Sequence, residues 1–195
     1  MKSCLLCGVG GQGTVLASRI IASAAMEKGL FARTAETIGM AQRGGSVVSH
    51  VRIGKSVPSP MIPQGKADLI LGFEPGEVLR SLGYLKEGGT VICCAEEVQP
   101  VTAALASVEY NGKTIIDYLK TKVDRLIILD TERIIKECGS PKVINVALMG
   151  AMAATGIMDI SLEEISAALK QKVKPQFFDM NEKALQLGAA AILGD

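Results

Sequence analysis

The sequence is poor in the residues on which several classes of binding protein depend. It has no tryptophan, only 4% aromatic residues, and a single histidine. Aromatic platforms for stacking nucleic-acid bases are therefore scarce. Its 21 lysines and arginines nearly balance 20 aspartates and glutamates, and no basic tract stands out. Nucleic acid and anionic membrane surfaces are therefore poor candidates as partners.

Long hydrophobic runs are also missing. No apolar stretch reaches the roughly 18 residues that a membrane helix needs, and the first residues lead into a predicted strand without a signal-peptide layout. We therefore expect a cytoplasmic protein without membrane contact. A chain of 195 residues with 48% hydrophobic and 21% charged residues has a globular composition. We predict a single domain over residues 1–195.

The five cysteines do not have the spacing of a metal site. Cys4 and Cys7 form a C-x-x-C pair inside a predicted strand, where residues three apart point to opposite faces. Cys93 and Cys94 are adjacent in another predicted strand and diverge in the same way. We expect reduced cysteines that pack as small hydrophobes, no metal, and no iron–sulfur cluster held by this chain alone.

A glycine-rich turn follows the first predicted strand. Gly8, Gly10 and Gly13 match the G-x-G-x-x-G pattern, Gly11 adds a further glycine, and a helical pattern begins at Thr14. This order of strand, tight turn and helix predicts a Rossmann-like first βα unit. The first turn of such a helix offers free N–H groups to a phosphate or a carboxylate.

The dinucleotide fingerprint also expects an acidic residue roughly 20 positions after its glycines. Glu36 is the only candidate, but it comes late and Arg33 precedes it. Three interpretations of the glycines stay open at this point. The loop binds a free dinucleotide, or it serves only strand–helix packing, or it touches another anionic ligand or a partner's active site.

Strands and helices alternate along most of the chain. The predicted strands at 31–37 and 46–53 are separated by only about eight residues, too few for a crossover helix, so we predict that they pair antiparallel. Pro58, Pro60 and Pro63 predict an irregular connection, and residues 142–155 form a nearly all-apolar helix, buried or at an interface. We predict an α/β fold, a three-layer α/β/α domain with a mixed, mostly parallel sheet.

Three further residues are candidates for functional or structural roles. Arg43 precedes Gly44 in a glycine-punctuated loop, where a guanidinium can present a planar fork to a carboxylate or phosphate; an ordinary interface or surface contact is the alternative. His50 is a conceivable general base, but no serine, cysteine or carboxylate is placed beside it by spacing. We expect it to be a solvated or interface histidine. Glu74, before Pro75, is expected to start a helix.

With these residues in view, the sequence resembles the gamma domain of 2-oxoacid:ferredoxin oxidoreductases across nearly its whole length. Within that family it is most similar to the small (beta) subunits of the indolepyruvate type. The stretches that carry the resemblance are residues 8–13, 39–52, 59–63 and 67–75, together with Asn145 and Gly150 in the apolar helix.

The resemblance implies a subunit, inactive alone, rather than a complete enzyme. Such complexes oxidatively decarboxylate a 2-oxoacid to acyl-CoA and CO₂ and reduce ferredoxin. Thiamine diphosphate and iron–sulfur clusters are then expected on a large partner subunit, with coenzyme A as co-substrate and ferredoxin reached through the complex. The sequence agrees, because it has neither a Gly-Asp-Gly thiamine motif nor a ferredoxin-type cysteine run.

The resemblance also gives the candidate site residues a role. An anion, the coenzyme A path or a subunit interface is expected near Gly8, Gly10, Gly11, Gln12, Gly13, Arg43 and Gly44. Two other functions stay open, namely a stand-alone oxidoreductase dependent on a nicotinamide dinucleotide and a non-catalytic scaffold domain. An isolated subunit of this kind could also self-associate through the surface meant for its partner.

Overall fold

A computed structural model describes residues 1–38, 44–98 and 110–194. Over these ranges the chain forms six strands and seven α-helices. The strands are β1 (Lys2–Val9), β2 (Phe31–Ile38), β3 (Ser46–Gly54), β4 (Ala67–Gly72), β5 (Leu85–Cys94) and β6 (Arg125–Leu129). The helices are α1 (Thr14–Glu27), α2 (Pro75–Ser81), α3 (Gly112–Lys122), α4 (Thr131–Cys138), α5 (Ile144–Ala154), α6 (Leu162–Lys172) and α7 (Phe178–Leu193). Arg43 lies outside the described residues.

The sheet is mixed, in the order β2-β3-β1-β4-β5-β6. Strand β3 runs antiparallel to both of its neighbours, whereas β1, β4, β5 and β6 are mutually parallel. The mixed, mostly parallel sheet is therefore confirmed. The predicted antiparallel pairing of β2 with β3 is also confirmed, and its cause is the short connection between these strands.

Helices cover both faces of the sheet, which confirms the three-layer prediction. Cys4 and Leu6 of β1 pack in one core with α1 and with α4 to α7. Leu5 and Cys7 of the same strand point the other way, into a second core with α2 and α3. Because successive side chains of a strand point to opposite faces, a strand covered on both sides must be apolar throughout. This explains the continuous apolar run at the start of the sequence.

The same alternation separates the cysteines. Cys4 and Cys94 lie in the core beside α1, while Cys7 and Cys93 lie in the core beside α2. All four are buried, and burial raises the pKa of each thiol, so that they stay protonated at neutral pH. The predicted divergence of both pairs is confirmed. Across the described ranges, no three metal-ligating side chains come together.

Helices α5 and α7 cross at two glycines. A Cβ added to Gly150 would overlap the carbonyl oxygen of Leu185, and one added to Gly188 would overlap the carbonyl oxygen of Ala147. The two backbones are therefore in direct contact, which only residues without a side chain permit.

None of the helices that the structure describes has the combined length and apolar character needed to cross a bilayer.

The proline-rich connection after β3 folds back over the sheet and buries His50. Arg52 Nη1 donates to the carbonyl oxygens of Ser59 and Met61, at 3.0 Å each. The Ile62 N–H donates to His50 Nδ1 at 3.2 Å, and His50 is only 1% exposed. Burial lowers the pKa of His50, so its imidazole is neutral at pH 7. The prediction of a solvated or interface histidine was wrong, because residues distant in sequence cover that face of β3.

Candidate functional site

The candidate site lies where β1 and β4 end side by side. The two strands are parallel, but the chain leaves them toward opposite faces, into α1 after β1 and into α2 after β4. Beside this point, on the face of the sheet that α1 and α5 cover, a crevice opens at the carboxyl ends of the strands. In open α/β sheets, this switch point is the usual position of a ligand.

The glycine loop forms one wall of this crevice. It connects β1 to α1 as predicted, with Gly11 and Gly13 at φ values of 103° and 85°. These are left-handed conformations that side chains other than glycine rarely adopt. Gly13 occupies the N-cap position of α1, where no side chain caps the helix, and the first turn of α1 carries no acidic residue. The positive end of α1 is therefore open to a ligand.

Gln12 fastens the two loops to each other. Its Oε1 accepts from the Val9 N–H at 2.7 Å, and its Nε2 donates to the Phe73 carbonyl oxygen at 3.0 Å. A Cβ on Gly8 would lie 2.7 Å from both Gln12 Oε1 and Phe73 Cβ, so glycine is required beneath this bridge. Gln12 is thus committed to holding the crevice together, and both ends of its amide are used within the protein.

The start of α5 forms the opposite wall, and its central residue is Asn145. Asn145 is 5% exposed, and its Oδ1 accepts from the Val146 N–H at 2.9 Å. Its Nδ2 lies against Gly13, since a Cβ there would be 2.7 Å away, and it has no acceptor among the described residues. As with α1, the first turn of α5 contains no acidic residue. Sequence reasoning assigned Asn145 no role, although an amide at the start of an all-apolar helix was a usable signal.

The cavity between these walls has a volume of about 450 Å³. Among the described residues its lining is largely apolar, with Leu16, Phe73, Val98 and Ile144, and includes one cation and one anion, Lys142 and Glu96. Cys94 also lines it, but its raised pKa keeps the thiol protonated, so it is not an activated nucleophile.

The other predicted residues are divided between two sides of the glycine loop. Gly11, Gln12 and Gly13 line the crevice. On the opposite side, the Gly10 N–H donates to the Gly45 carbonyl oxygen at 2.8 Å, which places Gly10 beside the start of β3. Gly44, at φ 78°, belongs to that same side.

Glu36 does not fit the role of a ribose ligand. Its Oε1 accepts from Ser18 Oγ at 3.3 Å and lies 3.9 Å from Arg19 Nε. In a dinucleotide-binding fold the acidic residue ends the strand next to β1. Here β3 lies between β1 and β2, which moves Glu36 about 10 Å from the glycine loop at the normal spacing of strands.

Glu74 starts α2, as predicted. The carboxylate of Glu74 accepts from the Glu77 N–H at 2.9 Å and from the hydroxyl of Tyr110. Glu77 accepts in turn from the Ser46 hydroxyl and from Arg80. Burial, together with the bond to Glu74, raises the pKa of Tyr110, which keeps it a donor. Both carboxylates are buried and engaged within the protein, so neither is offered to the crevice.

Comparison with known proteins gives one consistent result. The family described as pyruvate ferredoxin/flavodoxin oxidoreductase matches residues 3–191. The indolepyruvate oxidoreductase subunit IorB of Thermococcus kodakarensis is 37% identical over 192 residues, covering 96% of this chain and 94% of that protein. The subunit of the same name from Archaeoglobus fulgidus is 39% identical over 182 residues, covering 93% and 90%. The crystal structure of a keto/oxoacid ferredoxin oxidoreductase gamma subunit from Geobacter sulfurreducens matches all of both chains, with a TM-score of 0.73 and 25% identity.

Proposed function

Because the chain belongs to the pyruvate ferredoxin/flavodoxin oxidoreductase family, we propose that it is the non-thiamine subunit of an indolepyruvate-type 2-oxoacid:ferredoxin oxidoreductase. The observation that carries this proposal is the similarity to IorB subunits over 93–96% of this chain and at least 90% of those proteins. An arylpyruvate is then the expected class of substrate.

The proposed reaction is an oxidative decarboxylation. The 2-oxoacid loses its carboxylate as CO₂, two electrons pass to two ferredoxins, and the acyl group is transferred to the coenzyme A thiol, which releases its proton. Thiamine diphosphate and iron–sulfur clusters, which supply the carbanion chemistry and the electron transfer, are assigned to a large partner subunit. The described part of this chain does not fit a cluster, because its buried cysteines are divided between opposite faces of the sheet. Alone, the chain is expected to be inactive.

We assign Arg43, Gly10 and Gly44 to the coenzyme A path or the partner interface. The bond between Gly10 and Gly45 brings the glycine loop beside the chain that follows Arg43. The guanidinium of Arg43 would offer a planar fork to a phosphate or a carboxylate. The five free cysteines fit a reducing compartment, and we place the complex in the cytoplasm.

Co-purification tests the proposed function. The chain is tagged in its native host and purified gently without oxygen, and the preparation is assayed for ferredoxin reduction with an arylpyruvate and coenzyme A. We expect a brown complex with a large second chain and with activity, and no activity from the isolated chain. A colourless single band that binds a nicotinamide dinucleotide saturably would overturn the proposal in favour of a stand-alone oxidoreductase. An assembly that contains no cofactor and has no turnover would support the interpretation as a non-catalytic scaffold domain.

The same complex tests the assignment of Arg43. Loss of a charge-assisted hydrogen bond costs about 1.5–3 kcal/mol, so we expect Arg43→Ala to raise the KM for coenzyme A about ten- to a hundredfold, with unchanged co-purification. Arg125→Ala, at an exposed arginine of β6 on the far edge of the sheet, is the matched control. Kinetic constants and assembly equal to those of the control would show that Arg43 is an ordinary surface residue.

A further inference from the structure

We propose that the crevice at the β1–β4 switch point binds a small organic monoanion with an apolar body, of the arylcarboxylate class, at a site that this chain provides alone. The position of the site follows from the geometry of its two walls. The class of ligand rests in addition on the proposed function, since an arylpyruvate is a monoanion with an aromatic body. This site is distinct from the side of the glycine loop on which Gly10 contacts Gly45.

The anionic end of the ligand has two independent sets of donors. One is the uncapped first turn of α1 behind Gly13, whose free N–H groups and helix dipole attract an anion. The other is Asn145 Nδ2, on a side chain that is more than nine-tenths buried and lines the cavity. Asn145 Nδ2 lies next to Gly13, and a carboxylate oxygen placed between Gly13 and Asn145 would accept a hydrogen bond from it.

The apolar body has matching walls. Leu16 and Ile144 project from the first turns of α1 and α5, and Phe73 and Val98 complete the lining. The cavity volume of about 450 Å³ lies within the range of small-molecule sites. A cavity of about 150 Å³ holds a benzene ring, so the crevice has room for a bicyclic aromatic group with its carboxylate.

The charges of the lining favour one negative charge over several. Lys142 and Glu96 are the charged residues in the described lining, and their formal charges cancel. The remaining positive potential comes from two helix dipoles, each equivalent to about half a charge. A nucleotide with two or more phosphate charges would meet Glu96 without a second cation in the described lining. A monoanionic acid matches this balance.

Binding is tested on the full chain by isothermal titration calorimetry and ¹⁵N NMR. The probe is indole-3-acetate, which has an aromatic body and one carboxylate but no oxo group to react, with coenzyme A and inorganic phosphate as comparisons. Saturable binding of indole-3-acetate is expected, with shifts confined to the residues that line the crevice, among them Gly11–Gly13, Leu16, Ile144 and Asn145. Leu16→Ala should weaken it a few-fold, because this variant removes part of the apolar wall.

The decisive variant is Asn145→Asp. It keeps the oxygen that accepts from the Val146 N–H but replaces the amide donor with a negative charge, so indole-3-acetate should bind at least about tenfold more weakly. Asn111→Asp is the matched control. Asn111 is the N-cap of α3 and accepts from the Thr114 N–H, so the substitution adds the same charge at a helix start away from the crevice. Unchanged binding is expected there.

Each other result overturns the inference. If coenzyme A or phosphate binds the crevice and indole-3-acetate does not, the ligand class is wrong. If no probe binds, or if Asn145→Asp binds indole-3-acetate with the same affinity as Asn111→Asp, there is no such site. Failure of the proposed function is a separate observation, because it appears in the co-purification and leaves binding to the isolated chain unaffected.

Discussion

Gly188→Ala is expected to destabilise the protein by about 3 kcal/mol, the upper part of the normal range for overpacking a core. Intrinsic preference predicts the opposite sign, because alanine in a helix interior is favoured over glycine by about 1 kcal/mol. The added Cβ would overlap the carbonyl oxygen of Ala147 on α5. Packing therefore outweighs propensity at this position.

The clash cannot be relieved by rotating a side chain. The atom in the way belongs to the backbone of α5, and the contact is reciprocal, since Gly150 of α5 lies equally close to the carbonyl oxygen of Leu185. Relief requires the two helices to separate, and α5 is buried almost all round, from Asn145 to Met152. Separation would open the core in which α4 to α7 cover the sheet. We expect the strain to destabilise that whole layer.

Thermal and urea denaturation measure the effect. For a chain of this size a loss of about 3 kcal/mol lowers Tm by roughly 6–12 °C. Gly83→Ala is the matched control, because a Cβ there meets nothing within 4 Å and Gly83 is exposed. It should change stability by less than about 0.5 kcal/mol. If Gly188→Ala were as stable as the wild type or more so, α5 and α7 would not cross in backbone contact.

The features that sequence predicted well are those set by near neighbours. Gly13 next to an apolar helix pattern was sufficient to predict the turn between β1 and α1. The short interval after β2 was sufficient to predict the antiparallel pairing with β3. The burial pattern of β1 follows from its continuous apolar run. In each case the physical cause, whether a dihedral angle, a loop length or an alternation of faces, lies within about ten residues.

The crevice itself depends on contacts that no local pattern contains. Gln12 meets Phe73 across 61 positions, and Asn145 lies against Gly13 from the far half of the chain. His50 shows the same limit, because its burial depends on Ile62 folding back over β3. The order of the strands, which moves Glu36 away from the glycine loop, is likewise a property of the whole sheet. A glycine fingerprint therefore predicted the loop and its helix but not the wall opposite.

Gln12→Glu is expected to destabilise the protein by about 2–4 kcal/mol at pH 7, because it turns the bridge across the crevice into a repulsion. The new carboxylate can still accept from the Val9 N–H, but its other oxygen replaces the amide that donates to the Phe73 carbonyl oxygen. The carboxylate oxygen and the Phe73 carbonyl oxygen, both acceptors, then face each other at a half-buried position. Gln12→Ala removes both bonds without adding charge and should have the smaller effect.

The pH dependence identifies the cause. Because the introduced carboxyl group faces a carbonyl oxygen, its protonated form is favoured, and its pKa in the folded state is raised above the unfolded value of about 4.3. A group with a raised pKa contributes stability below its unfolded pKa and loses it as the pH rises. The stability difference from the wild type should therefore shrink as the pH falls from 7 toward 4, because the protonated side chain can donate to Phe73 again.

Gln171→Glu, at an exposed glutamine of α6, is the matched control, and its stability difference should stay within about 0.5 kcal/mol at every pH. Urea denaturation from pH 4 to pH 8 compares the two variants. Should Gln12→Glu follow the control, the crevice would be held by backbone contacts alone, such as the 2.8 Å bond from the Phe73 N–H to the Cys7 carbonyl oxygen. A loss of stability in Gln12→Glu that grows with pH would instead identify Gln12 as the residue that sets the separation of the two loops. The same residue would then also affect the width of the proposed anion site between Gly13 and Asn145.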